Sequence, residues 1–313
     1  MSQSPFRWGI IGPGRIAHAF ARAIAVVDAA VIHAVASRDL ARAQQFAQAF
    51  EVSTTYDSYA ALIADPAIDA IYIATPHRFH FEQALSCLEA GKAVLCEKPL
   101  TVNAREARRL IEAAQANRAF LLEAVWTRYL PIFQHVRHWL DAGSIGEIRL
   151  LTSTFGFTSP RDPQDRLLNH DLAGGALLDL GIYNLTLSQW VMGAEPVDFA
   201  AHAILGPTVV DELTSVNLQY ASGAVSQWTC TILADTSNSL QIYGSAGRIQ
   251  VHTPFWGATQ ATLVTAEQEI TVSEPFRASG FEYQIEDAMR CIRAGLIESP
   301  TMPHAQTLAT MTL

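Results

Sequence analysis

Two short stretches of the sequence carry side chains that could move a proton. Glu97-Lys98-Pro99 follows an apolar run at 93–96, and Asp179 and Tyr183 stand four residues apart further along the chain. The residue before a proline is held in an extended conformation, so Lys98 is presented from a stiff backbone. From there a lysine can polarise a substrate oxygen, or its charge can lower the pKa of a neighbouring acid. Lys98, Asp179 and Tyr183 are therefore candidate catalytic residues.

Helical geometry would bring Asp179 and Tyr183 together. If Gly174–Met192 forms a helix, the two side chains share one face, and Gly181 between them leaves room for a ring to approach. Such a face can carry proton-transfer chemistry. Structural interpretations stay open: Lys98 as a surface lysine paired with the glutamate before it, and Tyr183 as a buried side chain whose hydroxyl bonds to a backbone carbonyl.

A third stretch is typical of dinucleotide binding. Gly12-Pro13-Gly14-Arg15-Ile16-Ala17 follows a short apolar strand pattern and precedes an alanine-rich helical run. In this pattern Gly12 makes the tight turn, Gly14 lets the backbone approach a pyrophosphate, and the small Ala17 lets the helix pack closely on the strand. The helix N-terminus offers free N–H groups and a positive dipole end to the phosphates.

The end of the next predicted strand, at 31–36, bears on which dinucleotide is bound. Sites that prefer NAD usually place an acidic residue here to bind the ribose 2′-hydroxyl. This chain has Ser37 and Arg38, with Arg42 one helical turn further on, and these suit a 2′-phosphate and hence NADP. Because Asp39 stands close by, NAD stays possible. Ser37 or Asp39 could instead cap the following helix while both arginines point into water.

Further cofactor contacts are expected where two later strands end. Strand 70–74 ends in Thr75-Pro76-His77, His80 follows, and the strand before Glu97 and Lys98 delivers those two residues at the same edge. Open α/β sheets bind ligands at the carboxyl ends of their strands. His77 and His80 have a spacing that could suit a metal, but no carboxylate or cysteine joins them at ligand spacing, so we expect no metal site.

Composition narrows the class of partner. The chain has 313 residues with 21 Lys and Arg against 30 Asp and Glu, a formal net charge of −9. No basic run is present, which argues against nucleic acid and anionic membranes and favours small molecules. Its four cysteines lack metal-type spacing, no signal-like segment is evident, and no apolar stretch reaches membrane length. We expect a reduced, cytoplasmic protein.

The order of predicted elements indicates two domains. Strands and helices alternate through residues 1–124, which predicts a Rossmann domain of the α/β class with a doubly wound parallel sheet. Residues 125–313 read mainly as successive strands joined by short turns, which predicts an α+β domain with a largely antiparallel open sheet. The polar loop 157–171 is expected to form a surface loop or lid over the site.

Together these motifs resemble the glucose–fructose oxidoreductase, inositol dehydrogenase and rhizopine-catabolism (Gfo/Idh/MocA) family. The matching segments are Gly12–Ala17, Ala74-Thr75-Pro76 with His80, Glu97-Lys98-Pro99 and 174–183. Ser37-Arg38-Asp39-Leu40 and 178–183 resemble its dimeric dihydrodiol dehydrogenase and NADP-dependent D-xylose dehydrogenase branches.

The resemblance implies hydride transfer between NADP and a ring secondary alcohol or hemiacetal, either of a sugar such as D-xylose at C1 or of a trans-dihydrodiol. Tyr183 would be the general acid/base, Lys98 would hydrogen-bond the reacting oxygen, and Asp179 would orient the substrate or Lys98. The resemblance also implies a homodimer or higher oligomer formed through the C-terminal sheet. The substrate pocket would involve Trp126 and Arg128, which could instead be a tryptophan that packs between the domains and a structural arginine. The aromatic residues Phe157 and Trp256 could line the pocket. The alternative is a catalytically inactive NAD(P)-binding sensor of the same fold.

Overall fold

The chain forms two compact units. In the computed structural model, which describes residues 4–313, one unit holds the described residues up to Trp126 together with Phe276–Thr312, and the other holds Thr127–Pro275. The sequence-based division placed all of 125–313 in one domain, so the two divisions differ in the C-terminal segment.

The first unit is built on a six-stranded parallel sheet of order β3-β2-β1-β4-β5-β6. Strands β4 and β5 are buried along their whole length, as expected for a parallel sheet covered on both faces. The elements in chain order are β1 Phe6–Ile11, α1 Arg15–Ile24, β2 Ala30–Ala36, α2 Leu40–Phe50, β3 Thr54–Tyr56, α3 Tyr59–Ala64, β4 Ala70–Ile73, α4 His80–Glu89, β5 Ala93–Glu97, α5 Ala104–Asn117 and β6 Leu121–Ala124.

The second unit carries an eight-stranded sheet of order β14-β13-β12-β11-β7-β10-β9-β8. Strands β7 and β10 pair in parallel, and the other neighbours are antiparallel. Its elements are α6 Pro131–Asp141, β7 Ile148–Gly156, α7 Ile182–Met192, β8 Asp198–Leu205, β9 Asp211–Gln219, β10 Val225–Thr231, β11 Leu240–Gly244, β12 Gly247–Val251, β13 Gln260–Thr265 and β14 Glu269–Ser273. The predicted fold class, a Rossmann sheet plus a largely antiparallel sheet, is confirmed.

One predicted helix differs from the structure. The segment expected to be helical from Gly174 begins instead with a π-helical turn, Leu177–Gly181, and continues as α7. The turn is anchored by the N–H of Leu177, which donates to Asp211 Oδ2 at 2.7 Å. Wider π-helical turns are frequent at functional sites, and this one contains Asp179 and directly precedes Tyr183.

Two C-terminal helices, α8 Glu282–Arg293 and α9 His304–Thr312, complete the first unit. From α9, His304 Nε2 lies 2.9 Å from the carbonyl oxygen of Leu121, and the hydroxyl of Thr307 donates to Glu123 Oε2 at 3.0 Å. These buried bonds to β6 explain why the C-terminal segment groups with the Rossmann sheet. None of the helices among residues 4–313 is both long enough and apolar enough to cross a bilayer.

Candidate active site

The glycine-rich turn has the backbone that a dinucleotide requires. Gly12 has φ +88°, and a Cβ there would lie 2.7 Å from Thr75 Cγ2, so a larger residue would clash. At Gly14 an added Cβ would meet only the carbonyl oxygen of Ala74, at 3.8 Å, and no described side chain caps the first turn of α1. Pro13 and Ala17 are buried, whereas the first-turn residues Arg15–Ile16 are exposed. The N–H groups of Gly12 and Gly14 are bonded to the carbonyls of Ala36 and Gly12, so the amides that remain for an anion are those at the start of α1.

At the end of β2, capping and a candidate phosphate site occur side by side. Asp39 caps α2, because its Oδ1 accepts from the N–H of Ala41 at 3.0 Å, while the N–H of Asp39 donates to Ser37 Oγ at 3.2 Å. The guanidinium of Arg38 lies 5.3 Å from the ring centroid of Phe79, and Arg42 is exposed. The carboxylate of Asp39 is therefore engaged as a helix cap, and both arginines lie in the same short segment at this strand end.

The loops after β4 and β5 contain several buried polar groups. Thr75 Oγ1 donates to Gln83 Oε1 at 2.7 Å, and the imidazole of His77 is buried directly after Pro76. Glu97 is also buried and accepts a hydrogen bond from the hydroxyl of Tyr72 at 2.5 Å. Glu97 is thus held from within the sheet, and Lys98 beside it is half-buried.

His80 differs from its expected role as a cofactor ligand. The side chain is fully buried, with Nδ1 2.8 Å from the carbonyl oxygen of Pro99 and Nε2 2.8 Å from that of Thr75. Burial, assisted by the charges of His77 and Lys98, lowers the pKa of His80 to about 4. Both ring nitrogens face the protein's own carbonyls, so the side chain connects two loops of the site.

Glu123 was missed by sequence reasoning. It lies in β6 with 2% of its surface exposed, and its Oε1 accepts from the N–H of Leu100 at 2.9 Å. Burial raises the pKa of Glu123, while the bonds from Leu100 and Thr307 and the charge of Lys98 act in the opposite direction. The available signal was a carboxylate inside the apolar strand segment 120–124, since such a group is buried only when it has partners.

In the second unit Asp179 pairs with an arginine that the sequence did not single out. Arg166 Nη1 and Nη2 donate to the two oxygens of Asp179, each at 3.1 Å, in a bidentate arrangement. The carboxylate side chain is 6% exposed and the arginine 39% exposed. The pair ties loop 157–171 to the π-helical turn that precedes Tyr183.

Tyr183 belongs to an aromatic cluster. Its ring centroid is 5.8 Å from that of Phe155, and Phe155 stacks on Trp256 with centroids 3.4 Å apart and planes at 7°. Phe255 meets both of these rings edge to face. Tyr183 is buried and Trp256 is half-buried, so the cluster joins the protein interior to a partly open aromatic surface.

The expected role of Gly181 is not supported. A Cβ at this position would lie 2.9 Å from Leu177 Cδ1, 3.1 Å from Cys230 Sγ and 3.5 Å from Trp228 Cζ3. The space beside Gly181 is therefore filled by the protein, and the glycine allows the π-helical turn to pack on β10. It does not leave a gap for a substrate ring.

The remaining predicted substrate residues have separate environments. Trp126 lies in the first unit and stacks on Phe281 at 5.1 Å. Arg128 lies in the second unit, buried, with its guanidinium 5.3 Å from the ring centroid of Trp190, and burial lowers its pKa to about 10. Phe157 is half-buried, and its N–H donates to the carbonyl of Thr231. The structure thus brings Trp256 into the cluster of Tyr183 and places the buried guanidinium of Arg128 over Trp190.

Comparison with known proteins identifies the family. Residues 6–124 match the GFO/IDH/MocA model described as an oxidoreductase family with an NAD-binding Rossmann fold, and residues 133–250 match the GFO/IDH/MocA C-terminal domain. Trans-1,2-dihydrobenzene-1,2-diol dehydrogenases from Danio rerio and Mus musculus are each 36% identical over 310 residues, covering 96% of this chain and 92% of theirs.

Solved structures agree with this assignment. A 3-ketoreductase from Actinomadura kijaniata in complex with NADP and TDP-benzene is 28% identical with a TM-score of 0.88, covering 99% of this chain and 95% of that one. A levoglucosan dehydrogenase in complex with NADH and levoglucosan, 21% identical with a TM-score of 0.87 and covering 99% and 95%, shows the same fold. The chain therefore belongs to the GFO/IDH/MocA oxidoreductase family and is an NAD(P)-dependent dehydrogenase.

Proposed function

We propose that this protein transfers a hydride between NADP and a ring secondary alcohol, with a trans-dihydrodiol or the C1 hemiacetal of a sugar such as D-xylose as substrate. The observation that carries the proposal is the buried Tyr183, whose ring lies against Phe155 and, through it, the stack with Trp256. A phenol next to an aromatic surface can exchange a proton with a hydroxyl of a ring held on that surface. The 36% identical dihydrodiol dehydrogenases support this substrate class.

The preference for NADP is supported by the end of β2. Asp39 uses a carboxylate oxygen to cap α2, and Arg38 lies over Phe79 close to the strand end where a ribose 2′-substituent would be bound. The open backbone at Gly14 fits a pyrophosphate. Arg38 and Arg42, with the hydroxyl of Ser37, would hold the 2′-phosphate. When bound, the nicotinamide supplies the hydride acceptor or donor.

The chain's own residues would handle the proton. As the alcohol is oxidised, Tyr183 takes the hydroxyl proton as the general base, and in the reverse direction it returns that proton as the acid. In this proposal Lys98 hydrogen-bonds the reacting oxygen of the substrate. Asp179, engaged by Arg166, orients the substrate from the π-helical turn.

A spectrophotometric panel at 340 nm tests the proposal. The purified protein is assayed with NADP and separately with NAD against trans-dihydrobenzenediol, D-xylose, D-glucose and myo-inositol, and in the reductive direction with the matching ketones or lactones. We expect turnover with NADP and the diol or an aldose. The Tyr183→Phe protein should lose turnover and still bind NADPH, because the ring is kept and only the hydroxyl is removed. Turnover retained by this variant would refute the role of Tyr183, and absence of turnover in both directions would favour a sensor.

A homodimer formed through the second sheet is part of the proposal. Strand β8 lies at the edge of this sheet, and all its residues are exposed. Its large apolar side chains include Phe199 at 57% and Leu205 at 62% exposure. Exposed apolar edge strands of this kind usually have a partner. In light scattering we expect a dimer that Phe199→Glu with Leu205→Glu converts to a monomer, and a wild-type monomer would contradict this.

The cysteines are consistent with a cytoplasmic location. Cys87, Cys96, Cys230 and Cys291 are all buried and unpaired thiols. Unpaired thiols are usual in reducing compartments. Fractionation of the producing cells tests this part of the proposal, and recovery in a secreted fraction would overturn it.

A further inference from the structure

The backbone directly after Lys98 is held from two sides by buried side chains. The carbonyl oxygen of Pro99 lies 2.8 Å from His80 Nδ1, and the N–H of Leu100 donates to Glu123 Oε1 at 2.9 Å. His80 is 0% and Glu123 2% exposed. Two consecutive residues next to Lys98 are therefore fixed by one group from the start of α4 and one from β6.

Glu123 is itself held at its second carboxylate oxygen, because Oε2 accepts from the hydroxyl of Thr307 on α9. The neutral imidazole of His80 has one N–H, which on Nδ1 donates to Pro99, while Nε2 lies 2.8 Å from the carbonyl oxygen of Thr75. The segment after Lys98 is thus connected to the start of α4 on one side and, through Glu123, to a C-terminal helix on the other. These connections lie inside the first unit, where β5 runs between β4 and β6.

The strand pairing of β5 does not reach the segment after Lys98. Strand β5 is paired along 93–96 with β4 and along 94–97 with β6. The contacts of His80 and Glu123 begin only beyond the paired strand, at 99–100. They act on a loop, and Lys98 is the charged side chain that this loop carries.

We propose that His80 and Glu123 are positioning residues that together fix the direction in which Lys98 presents its ammonium group to the reacting oxygen. This inference rests on the proposed role of Lys98. An error of about 1 Å in the placement of a catalytic group can cost on the order of 100-fold in rate. Neither residue needs to contact substrate or cofactor for this effect, and loss of either should lower kcat while leaving NADPH affinity and substrate KM nearly unchanged.

A matched pair of substitutions separates the two contacts of His80. In His80→Asn the side-chain amide nitrogen lies near the position of Nδ1 and keeps a donor for the carbonyl of Pro99. In His80→Gln the amide nitrogen lies near the position of Nε2 and keeps only the contact with Thr75. We expect His80→Gln to lower kcat by about 10- to 100-fold and His80→Asn to retain most of the activity. Equal kcat values for the two variants would overturn the assignment to Pro99.

Glu123 offers a second, independent pair. Glu123→Gln keeps an acceptor for the N–H of Leu100, and Glu123→Met keeps the length of the side chain but removes the acceptor. Rescue of kcat by Gln relative to Met is expected. Thermal unfolding and NADPH binding are measured for each variant, and a loss of kcat that only follows a loss of folded protein or of NADPH binding would overturn the proposal. Either pair decides the question if a member of the other does not fold.

The decisive readout is non-additivity with Lys98. In a Lys98→Met background, His80→Gln and Glu123→Met should cause no further loss, because both act through the lysine. The same fractional loss in both backgrounds would refute the inference. If Lys98→Met alone leaves kcat unchanged, the proposed function of Lys98 fails, whereas an inactive Lys98→Met together with a fully active His80→Gln overturns only the positioning role.

Discussion

Replacing Arg166 with alanine should show how much its ion pair with Asp179 contributes to the free energy of unfolding. Arg166→Ala deletes two hydrogen bonds of 3.1 Å to a carboxylate side chain that is 6% exposed. Breaking a buried ion pair on one side costs roughly 3–5 kcal/mol. Because the arginine is 39% exposed, water replaces part of the interaction, and we expect a loss of only about 1–3 kcal/mol in the free energy of unfolding.

A double-mutant cycle measures the pair itself. Urea unfolding is followed for the wild type, Arg166→Ala, Asp179→Asn and the double variant, and we expect a coupling energy of about 1–2 kcal/mol. The exposed pair of Arg149 with Glu147, whose side chains are 58% and 76% exposed, is the control. Its coupling should stay below about 0.5 kcal/mol.

The same variants report on function. Because the pair ties loop 157–171 to the turn that precedes Tyr183, kcat should fall in both single variants and should fall little further in the double variant. A coupling energy at Arg166 and Asp179 as small as that of the exposed control would refute the structural reasoning. Normal kcat in a destabilised Arg166→Ala protein would restrict the pair to a role in stability.

Three further outcomes are expected. Arg38→Ala should raise the KM for NADP by about 10-fold or more and leave the KM for NAD nearly unchanged, since one charge-assisted hydrogen bond to the 2′-phosphate is worth about 1.5–3 kcal/mol. An equal effect on both cofactors would contradict the assignment of Arg38 to the 2′-phosphate. Gly181→Ala should lower the free energy of unfolding by up to about 2 kcal/mol, because crowding of the new Cβ against Leu177 at 2.9 Å outweighs a gain of about 1 kcal/mol in helix propensity. A more stable variant with a raised substrate KM would instead support a gap for the substrate at this position. Burial lowers the pKa of His80 in the folded protein to about 4, below its ordinary 6.5, so the unfolded chain takes up the proton more readily and the free energy of unfolding should fall by about 3 kcal/mol as the pH drops from 6.5 to 4. Urea unfolding at several pH values should show this pH dependence in the wild type and a weaker one in His80→Asn. Identical pH dependence in the two proteins would be evidence against a buried neutral imidazole.

Features that depend on neighbouring residues were predictable from the sequence. The turn at Gly12–Ala17 needs a positive φ and small residues within one short run, and the structure has φ +88° at Gly12 and a fully buried Ala17. Helix α5, Ala104–Asn117, can be recognised in the same way, because its apolar period and its cap, Asn103, lie in one continuous segment. The parallel, doubly wound class of the first sheet follows from the regular alternation of strands and helices, and the structure adds its order, β3-β2-β1-β4-β5-β6.

Features that depend on distant partners were not predictable. The widened turn at Leu177–Gly181 could not be distinguished from the start of a helix, since its anchor, Asp211, lies 34 positions away in another strand. Helical spacing also predicted open space beside Gly181, whereas the structure fills that space with the sulfur of Cys230 and the indole of Trp228 from β10. The partner of Asp179 lies in a polar loop without a periodic pattern.

The surroundings of Lys98 show how topology supplies what the local pattern lacks. In a parallel sheet of order β4-β5-β6, the segments that follow β4 and the carboxyl end of β6 must flank the loop after β5. His80 and Glu123 occupy those two places, although they are 43 residues apart in sequence and Glu123 is held by Thr307, 184 positions further on. The buried glutamate in β6 can therefore be anticipated as a partner of this loop once the strand order is assigned, and only its hydrogen bond to the N–H of Leu100 needs the structure. The side chain that carries the chemistry is recognised from its motif, but the groups that orient it are found by asking which strands are neighbours.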